Sequence, residues 1–377
     1  MLPTLRMSAS KRLSALSNQF RSASTTTTMT MKEAVVSKGP KVQIIDSEIP
    51  RPGPNQVVTK VVVSGCNPKD WKRPEFMPDA PPVNQGDDIA GIVHEVGENV
   101  SEFKPGDRVA AFHEMMKPGG SYAEYALSWA YTTFYLPKNT SFEEGAALPL
   151  AAMTAAVGLY ARLRLPAPWV PLPLENTPRI PLVIYGASSA VGSYAIQFAQ
   201  RSNIHPLICI AGRAGATHVQ QLISPEKGDV VIDYRQGDEA VVQGIRNALQ
   251  SDAEKLEYAF DAVSEKGSYQ NICQVLSPST GKITLVLPGK KYAEIPATIQ
   301  QSLTTVGSVH NDLKDFAYVY FRYISRGLEE GWFKAQPQEV VPGGLEGVQT
   351  GLEGLKEGRA SAVKYVYRIG DTPGVGR

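Results

Sequence analysis

The chain has little cysteine, little histidine, almost no net charge and no long apolar run, and each shortage removes a class of protein. Its three cysteines, Cys66, Cys209 and Cys273, are scattered and odd in number, so they build neither a disulfide framework nor a cysteine-rich zinc site. A reducing compartment is the simpler inference. Lysine plus arginine number 38 against 37 aspartate plus glutamate, which offers no basic face for nucleic acid. No apolar run approaches the ~18 residues that a membrane-spanning helix needs. What remains is a soluble globular chain of 377 residues, 42% hydrophobic, long enough for two domains.

Acidic residues are also missing before Glu33, where the chain carries Arg6, Lys11, Arg12 and Arg21 among many Ser and Thr. Leu2, Leu5, Ala9, Leu13, Leu16 and Phe20 fall at helical spacing, so residues 1–31 have the profile of a mitochondrial transit peptide. The alternative is a disordered extension, since Met29 or Met31 can equally start the domain that follows. The corresponding locations are the mitochondrial matrix and the cytoplasm.

The chain is organised around residues 182–199. An apolar run, Leu182 to Tyr185, reads as a buried parallel strand; Gly186-Ala187-Ser188-Ser189-Ala190-Val191-Gly192 reads as a turn; Val191, Ala195, Phe198 and Ala199 then share one helical face. Strand, glycine turn and helix in that order make a dinucleotide-binding unit. Gly186 permits the sharp turn, the small residues let the backbone approach a pyrophosphate, and Gly192 permits close helix–strand packing. Ser189 stands where the usual middle glycine falls.

Strands and helices alternate from here on, with strands expected at 182–185, 207–211, 230–234, 258–262, 282–287 and 305–309 and helices at 239–249 and 267–276. That pattern is a doubly wound parallel sheet in an α/β fold. Before it come short β-runs at 33–36, 42–45, 57–63, 89–96, 108–112 and 122–126, parted by turns such as Lys104-Pro105-Gly106-Asp107. These describe a β-rich domain over 32–152, with a helix expected at 151–163. The second domain spans 153–311, and the prolines of residues 165–181 make a connector that is neither helix nor central strand. From 312 to 377 there are two helix-like pieces and a strand at 362–369. A six-stranded sheet has no place for that strand, so it is expected to return to the first, discontinuous domain.

Charge suggests the cofactor. NAD-preferring units place an acid at the end of the second strand. Here the strand ends in neutral Gly212 and cationic Arg213, which suits the 2′-phosphate of NADPH. His94 and His310 read as structural or solvated, His94 on a strand and His310 just beyond the last one.

Taken in order, the motifs Asn67-Pro68-Lys69-Asp70-Trp71-Lys72, Gly86-Asp87-Asp88-Ile89-Ala90-Gly91, Gly106-Asp107-Arg108-Val109, Gly120-Ser121-Tyr122-Ala123-Glu124-Tyr125, Leu148-Pro149 with Thr154-Ala155, the glycine turn, and Val231-Ile232-Asp233-Tyr234-Arg235 resemble the medium-chain dehydrogenases/reductases. The likeness is to their zinc-free quinone oxidoreductase and fungal trans-acting enoyl reductase branch. It implies a GroES-like substrate domain, a Rossmann domain, and a site between them near residues 67–72 and Thr154. Zinc-containing relatives have a cysteine where Asn67 falls and a His-Glu pair where Asp87-Asp88 falls, so the resemblance implies no metal here. Tyr234 matches a tyrosine that contacts the 2′-phosphate of NADPH.

Hydride delivery to an activated double bond without a metal needs a cation or hydrogen-bond donors at the developing enolate oxygen, and then a proton. Lys72 is the leading candidate for one or other task, because the polyketide enoyl reductases that the chain resembles also have a lysine in this Asn-Pro-x-Asp-x-Lys segment; its blander alternative is one more surface cation beside Lys69 and Arg73. Thr154 matches a residue beside the nicotinamide. Asn67, with Asp70, is expected to hold the loop or to touch substrate, Tyr122 to pack on a strand, and Trp71 to serve as a wall. The implied reaction is NADPH-dependent reduction of an activated alkene or quinone, in a monomer or homodimer acting on a small molecule. The alternatives are enoyl reduction of an acyl-carrier-bound polyketide, carbonyl reduction, and cofactor binding without turnover.

Overall fold

The computed structural model describes residues 30–170, 179–249 and 255–375. The basic, acid-free stretch up to residue 29 and residues 171–178 of the connector lie outside them. Thr30 and Met31 are the first two residues of a strand, Thr30–Ser37.

Strands Leu182–Tyr185 and Leu207–Ala211 are buried at every position, which requires cover on both faces. Parallel crossovers supply it. The six strands run in the spatial order Val230–Asp233, Leu207–Ala211, Leu182–Tyr185, Tyr258–Asp261, Lys282–Leu285, Gln300–Leu303, all parallel. Alternate residues feed two cores. Leu182, Ile184, Leu207, Cys209 and Phe260 pack with the helix Ala190–Arg201, whereas Val183, Ile208, Ile210, Ala259 and Ile283 pack on the opposite face. The strand order reverses between Leu182–Tyr185 and Tyr258–Asp261, and a crevice opens at the carboxyl ends of strands at such a point.

The strand expected at 305–309 is corrected. The sixth strand is Gln300–Leu303, and Val306–His310 is a 3-10 turn that takes in His310 itself. Buried Val306 and Val309 are three residues apart, the period of that turn, whereas the edge strand is polar and mostly exposed and so carries no apolar signal.

The second sheet has seven strands. Its path is Gln338–Val340, Lys364–Arg368, Gln56–Gly65, Asp88–Val96, Arg108–Phe112, Thr133–Tyr135, with Tyr125–Trp129 also paired to Gln56–Gly65. The late strand Lys364–Arg368 runs antiparallel to the carboxyl half of Gln56–Gly65, with Val366 opposite Gly65. The strand expected at 122–126 starts three residues later: the Tyr122 carbonyl accepts the Ala34 N–H and Ala123 bridges Glu33, so the first strand occupies this backbone. The helix expected at 151–163 is α-helical over Pro149–Ala156 and widens to π geometry over Val157–Arg162, with the Leu163 N–H reaching the Gly158 carbonyl. Among the described residues no helix is long and apolar enough to cross a membrane.

Candidate active site

The glycine turn lies at the sheet's switch point. Gly186 has φ +78° and a Cβ there would fall 2.7 Å from Val263 Cγ2, so side chains are excluded by conformation and by space. A Cβ on Gly192 would fall 2.3 Å from the Gly186 carbonyl oxygen, which closes the helix onto the turn. The Ala187 N–H donates to the Ile210 carbonyl, and the Ser188 side chain lies against Gly215 of the helix Arg213–Gln220. Ser189 is the N-cap of helix Ala190–Arg201, and its Oγ accepts the Gly192 N–H at 3.0 Å. The serine that departs from the usual fingerprint therefore caps the helix. The amides of Ala190 and Val191 open the first turn without intrahelical acceptors, in the place where an anion binds. Ser189→Ala is expected to cost about 1 kcal/mol in urea unfolding, the worth of one N-cap.

Gly212, Arg213 and Tyr234 come together at the ends of the second and third strands. A Cβ on Gly212 would meet Tyr234 Cε1 at 3.0 Å, so the phenol ring lies across this glycine while 49% exposed. Arg213 starts the next helix and faces solvent. Asp233, the acid of this corner, is bound by the Nε and the terminal Nη2 of Arg235.

The helix Pro68–Phe76 starts where the sequence dictates. Pro68 occupies its first position and the Asp70 carboxylate accepts the Asn67 N–H at 2.8 Å. Asn67 is buried and both ends of its amide are committed: Nδ2 donates to Asp88 Oδ2 at 2.7 Å and Oδ1 accepts from Lys364 Nζ at 2.6 Å. Asn67 therefore holds the loop, and its expected catalytic contact is withdrawn. Lys364 also reaches Asp88 Oδ2 at 2.8 Å, and Asp88 Oδ1 accepts the Leu150 N–H, which ties the cluster to the helix carrying Thr154.

A second lysine, with its ammonium against buried carboxylates, lies beside the first. Lys69 Nζ contacts Asp70 Oδ1 at 2.8 Å, Asp87 Oδ2, and the Gln85 carbonyl at 2.5 Å. Burial opposes an ammonium here, but the two carboxylates outweigh it and hold Lys69 above its ordinary range. Burial likewise opposes ionised Asp87, and Lys69 with His113 outweighs it, so Asp87 is held low. His113 Nδ1 faces Asp87 Oδ1 at 2.7 Å, and the Tyr122 hydroxyl donates to Asp70 Oδ2 at 2.6 Å. Burial pushes the Cys66 thiol up to about 12. Each position aligned with a zinc ligand is thus already bound to an ammonium or an amide. Among the described residues no group of three or more His, Cys, Asp or Glu is placed to hold a metal ion, so these donors do not fit one.

Lys72, one turn further along the same helix, is placed differently. Its Nζ lies 3.4 Å from Glu265 Oε1, with 24% of the side chain exposed. Lys69 is engaged by one hydrogen bond and two ion pairs, whereas Lys72 has a single partner at long range. Glu265 sits on the loop after strand Tyr258–Asp261, between Ser264 and Lys266 at φ +61° and +57°. The buried Asp261 carboxylate holds this loop by accepting the Val263 and Ser264 N–H groups and the Ser268 hydroxyl. The Lys72–Glu265 pair therefore links the helix Pro68–Phe76 to the loop at the carboxyl end of a strand of the six-stranded sheet. Thr154 is buried, and its hydroxyl donates to the Leu150 carbonyl at 2.7 Å, leaving it an acceptor for a ligand N–H.

Sequence reasoning did not single out Lys69, Lys364, Glu265 or His113 as site residues. Lys364 and Glu265 owe their roles to partners distant in the chain, 297 residues apart for Lys364 and Asn67, whereas Lys69 and His113 owe theirs to Asp87, brought to them by the fold over shorter separations. His310 joins this end of the molecule, tilted against Phe112 with its Nδ1 3.1 Å from the Tyr131 hydroxyl, and burial pushes it down to about 4.

A six-stranded parallel sheet in doubly wound order, joined to a β-rich unit with Asn67, Asp87 and Asp88 in one buried cluster, is the fold of a medium-chain dehydrogenase/reductase. Residues 53–138 match the alcohol dehydrogenase GroES-like domain. The chain is 61% identical over 333 residues to the trans-enoyl reductase fsr4 of Gibberella fujikuroi, covering 88% of this chain and 96% of that protein. Among solved structures it is similar to the CurK enoyl reductase (TM-score 0.70, 18% identity, 89% of this chain and 98% of that one) and to the quinone oxidoreductase of Coxiella burnetii (TM-score 0.68, 20% identity, 90% and 100%). The chain belongs to the trans-enoyl reductase family of oxidoreductases.

Proposed function

We propose that this protein reduces the activated C=C bond of an enoyl thioester presented by a carrier, with NADPH as hydride donor. The observation that carries the reading is Lys72, an ammonium with donors to spare that faces the nucleotide-binding unit across the cleft. The trans-enoyl reductase relatives support the thioester as substrate class.

The turn at Gly186–Gly192 fits a pyrophosphate, because its glycines keep the backbone bare and the helix start supplies N–H groups. Gly212, Arg213 and Tyr234 would hold the 2′-phosphate. Bound NADPH supplies the hydride. The protein's own residues do the rest: Lys72 orients the thioester carbonyl, stabilises negative charge on its oxygen and gives the α-carbon the proton that completes the reduction, and Thr154 accepts an N–H of the nicotinamide carboxamide. Leaving Glu265 loses Lys72 little, since a part-exposed pair at that distance is worth at most about 1 kcal/mol.

The choice of NADPH over NADH rests on Arg213. Arg213→Glu is expected to raise the KM for NADPH about tenfold or more, the size of one charge-assisted hydrogen bond, with little change for NADH. Equal effects on both cofactors would remove the phosphate from this corner. The reaction is tested by NADPH oxidation with an enoyl-pantetheine thioester, a short enone and a quinone. The thioester is expected to turn over fastest; turnover of the quinone alone would transfer the reading to quinone reduction, and absence of NADPH binding in calorimetry would end both.

A further inference from the structure

We infer that Asp70, Asp87 and the Gln85 carbonyl form a preformed site for a primary ammonium ion, which this chain fills with its own Lys69. The site is independent of the reductase reading. Three oxygens lie against Lys69 Nζ: the Gln85 carbonyl, which accepts its hydrogen bond at 2.5 Å, and two ion-pair contacts, Asp70 Oδ1 at 2.8 Å and Asp87 Oδ2. Asp70 and Asp87 are 0% and 1% exposed, and neither of these two carboxylate oxygens has a hydrogen-bond partner. The ammonium is the charge that lies against them.

The walls of the site are fixed by other groups. Asp70 Oδ2 accepts the Asn67 N–H at 2.8 Å and the Tyr122 hydroxyl at 2.6 Å, while Asp87 Oδ1 is held by His113 Nδ1 at 2.7 Å. His113 is held in turn by its Nε2 against the Pro118 carbonyl at 3.2 Å. Cutting back the lysine therefore leaves two buried carboxylate oxygens and a carbonyl still aimed at one point. The Lys69 side chain is 24% exposed, so its stem marks a path by which a small cation can enter. An alkylammonium suits this acceptor set better than a divalent ion, which needs more ligands than the three oxygens provide.

The test is chemical rescue of Lys69→Ala in the full chain, read as the midpoint of thermal unfolding. The wild type is expected to show no response to n-butylammonium because its site is filled. Lys69→Ala is expected to unfold at lower temperature and to recover, saturably, as n-butylammonium is added. Tetramethylammonium at the same ionic strength, having no N–H, is expected to do nothing, and Lys69→Ala/Asp87→Asn is expected to lose the response. If Lys69→Ala does not fold unaided, its refolding yield with and without n-butylammonium is the readout, and a rise is expected. No rescue, rescue by tetramethylammonium, a response kept in the double variant, or stronger rescue by magnesium would each overturn the proposal.

Discussion

Lys72→Ala is expected to lower kcat on an enoyl thioester by about 10²–10⁴-fold, the range that a positioned proton donor contributes, while the KM for NADPH changes little. The asymmetry follows from position. Lys72 stands on the substrate-side helix, and the residues proposed to hold the cofactor are on the other side of the cleft at Gly186–Gly192, Gly212, Arg213 and Tyr234. Lys72→Arg separates its two tasks. An arginine keeps the cation and does not give up its proton, so a variant within about tenfold of wild type assigns Lys72 to orienting the carbonyl. A variant as slow as the alanine assigns it to proton delivery. An unchanged kcat in Lys72→Ala would remove Lys72 from the chemistry.

The largest effect on stability is expected at Lys364, far from Lys72 in sequence and on a different element. Lys364 is 5% exposed and Asp88 0%. Lys364→Met leaves the Asp88 carboxylate buried with the Asn67 amide and the Leu150 N–H as its partners, one short of neutralisation. Breaking a buried pair from one side costs about 3–5 kcal/mol, seen as a fall in the urea midpoint. Adding Asp88→Asn removes the stranded charge, so the double variant is expected to recover most of that loss. A single variant as stable as wild type would show that Lys364 does not compensate Asp88. Because Asp88 also accepts from the first turn of the helix carrying Thr154, the single variant is expected to weaken NADPH binding as well.

Much of the parallel sheet was legible because its inner strands are continuous apolar runs, and a run such as Leu182–Tyr185 has one reading once a glycine turn and a helix follow it. The edge strand Gln300–Leu303 was not, since a strand with one neighbour and wet faces has no pattern to show, and the apolar pair Val306 and Val309 drew the assignment five residues too late. Ser189 looked like a flaw in the turn because the fingerprint is written in glycines. Its hydroxyl at the N-cap supplies what a glycine could not, an acceptor for Gly192. The lysines were illegible for a different reason. Lys69, Lys72 and Arg73 share one short helix and one charge, and only the fold shows that Lys69 is consumed by Asp70 and Asp87 while Lys72 faces the cleft. Lys364 sits within a β-run, where the alternation of Tyr365, Val366 and Tyr367 gives no hint of a carboxylate 276 residues earlier.

That separation sets an order of events during synthesis. The strand Gln56–Gly65 and the Asp88 carboxylate leave the ribosome long before Lys364–Arg368, the strand that lies beside the first and neutralises the second. At 5–20 residues per second, the 276 intervening residues take roughly 14–55 s to make. The parallel sheet, whose strands lie together between residues 182 and 303, has all its parts in hand sooner. For that interval the nascent substrate unit has an open strand edge and an uncompensated acid, and its closure waits on the last strand, so the nucleotide-binding unit is positioned to fold first and serve as the surface against which the rest assembles.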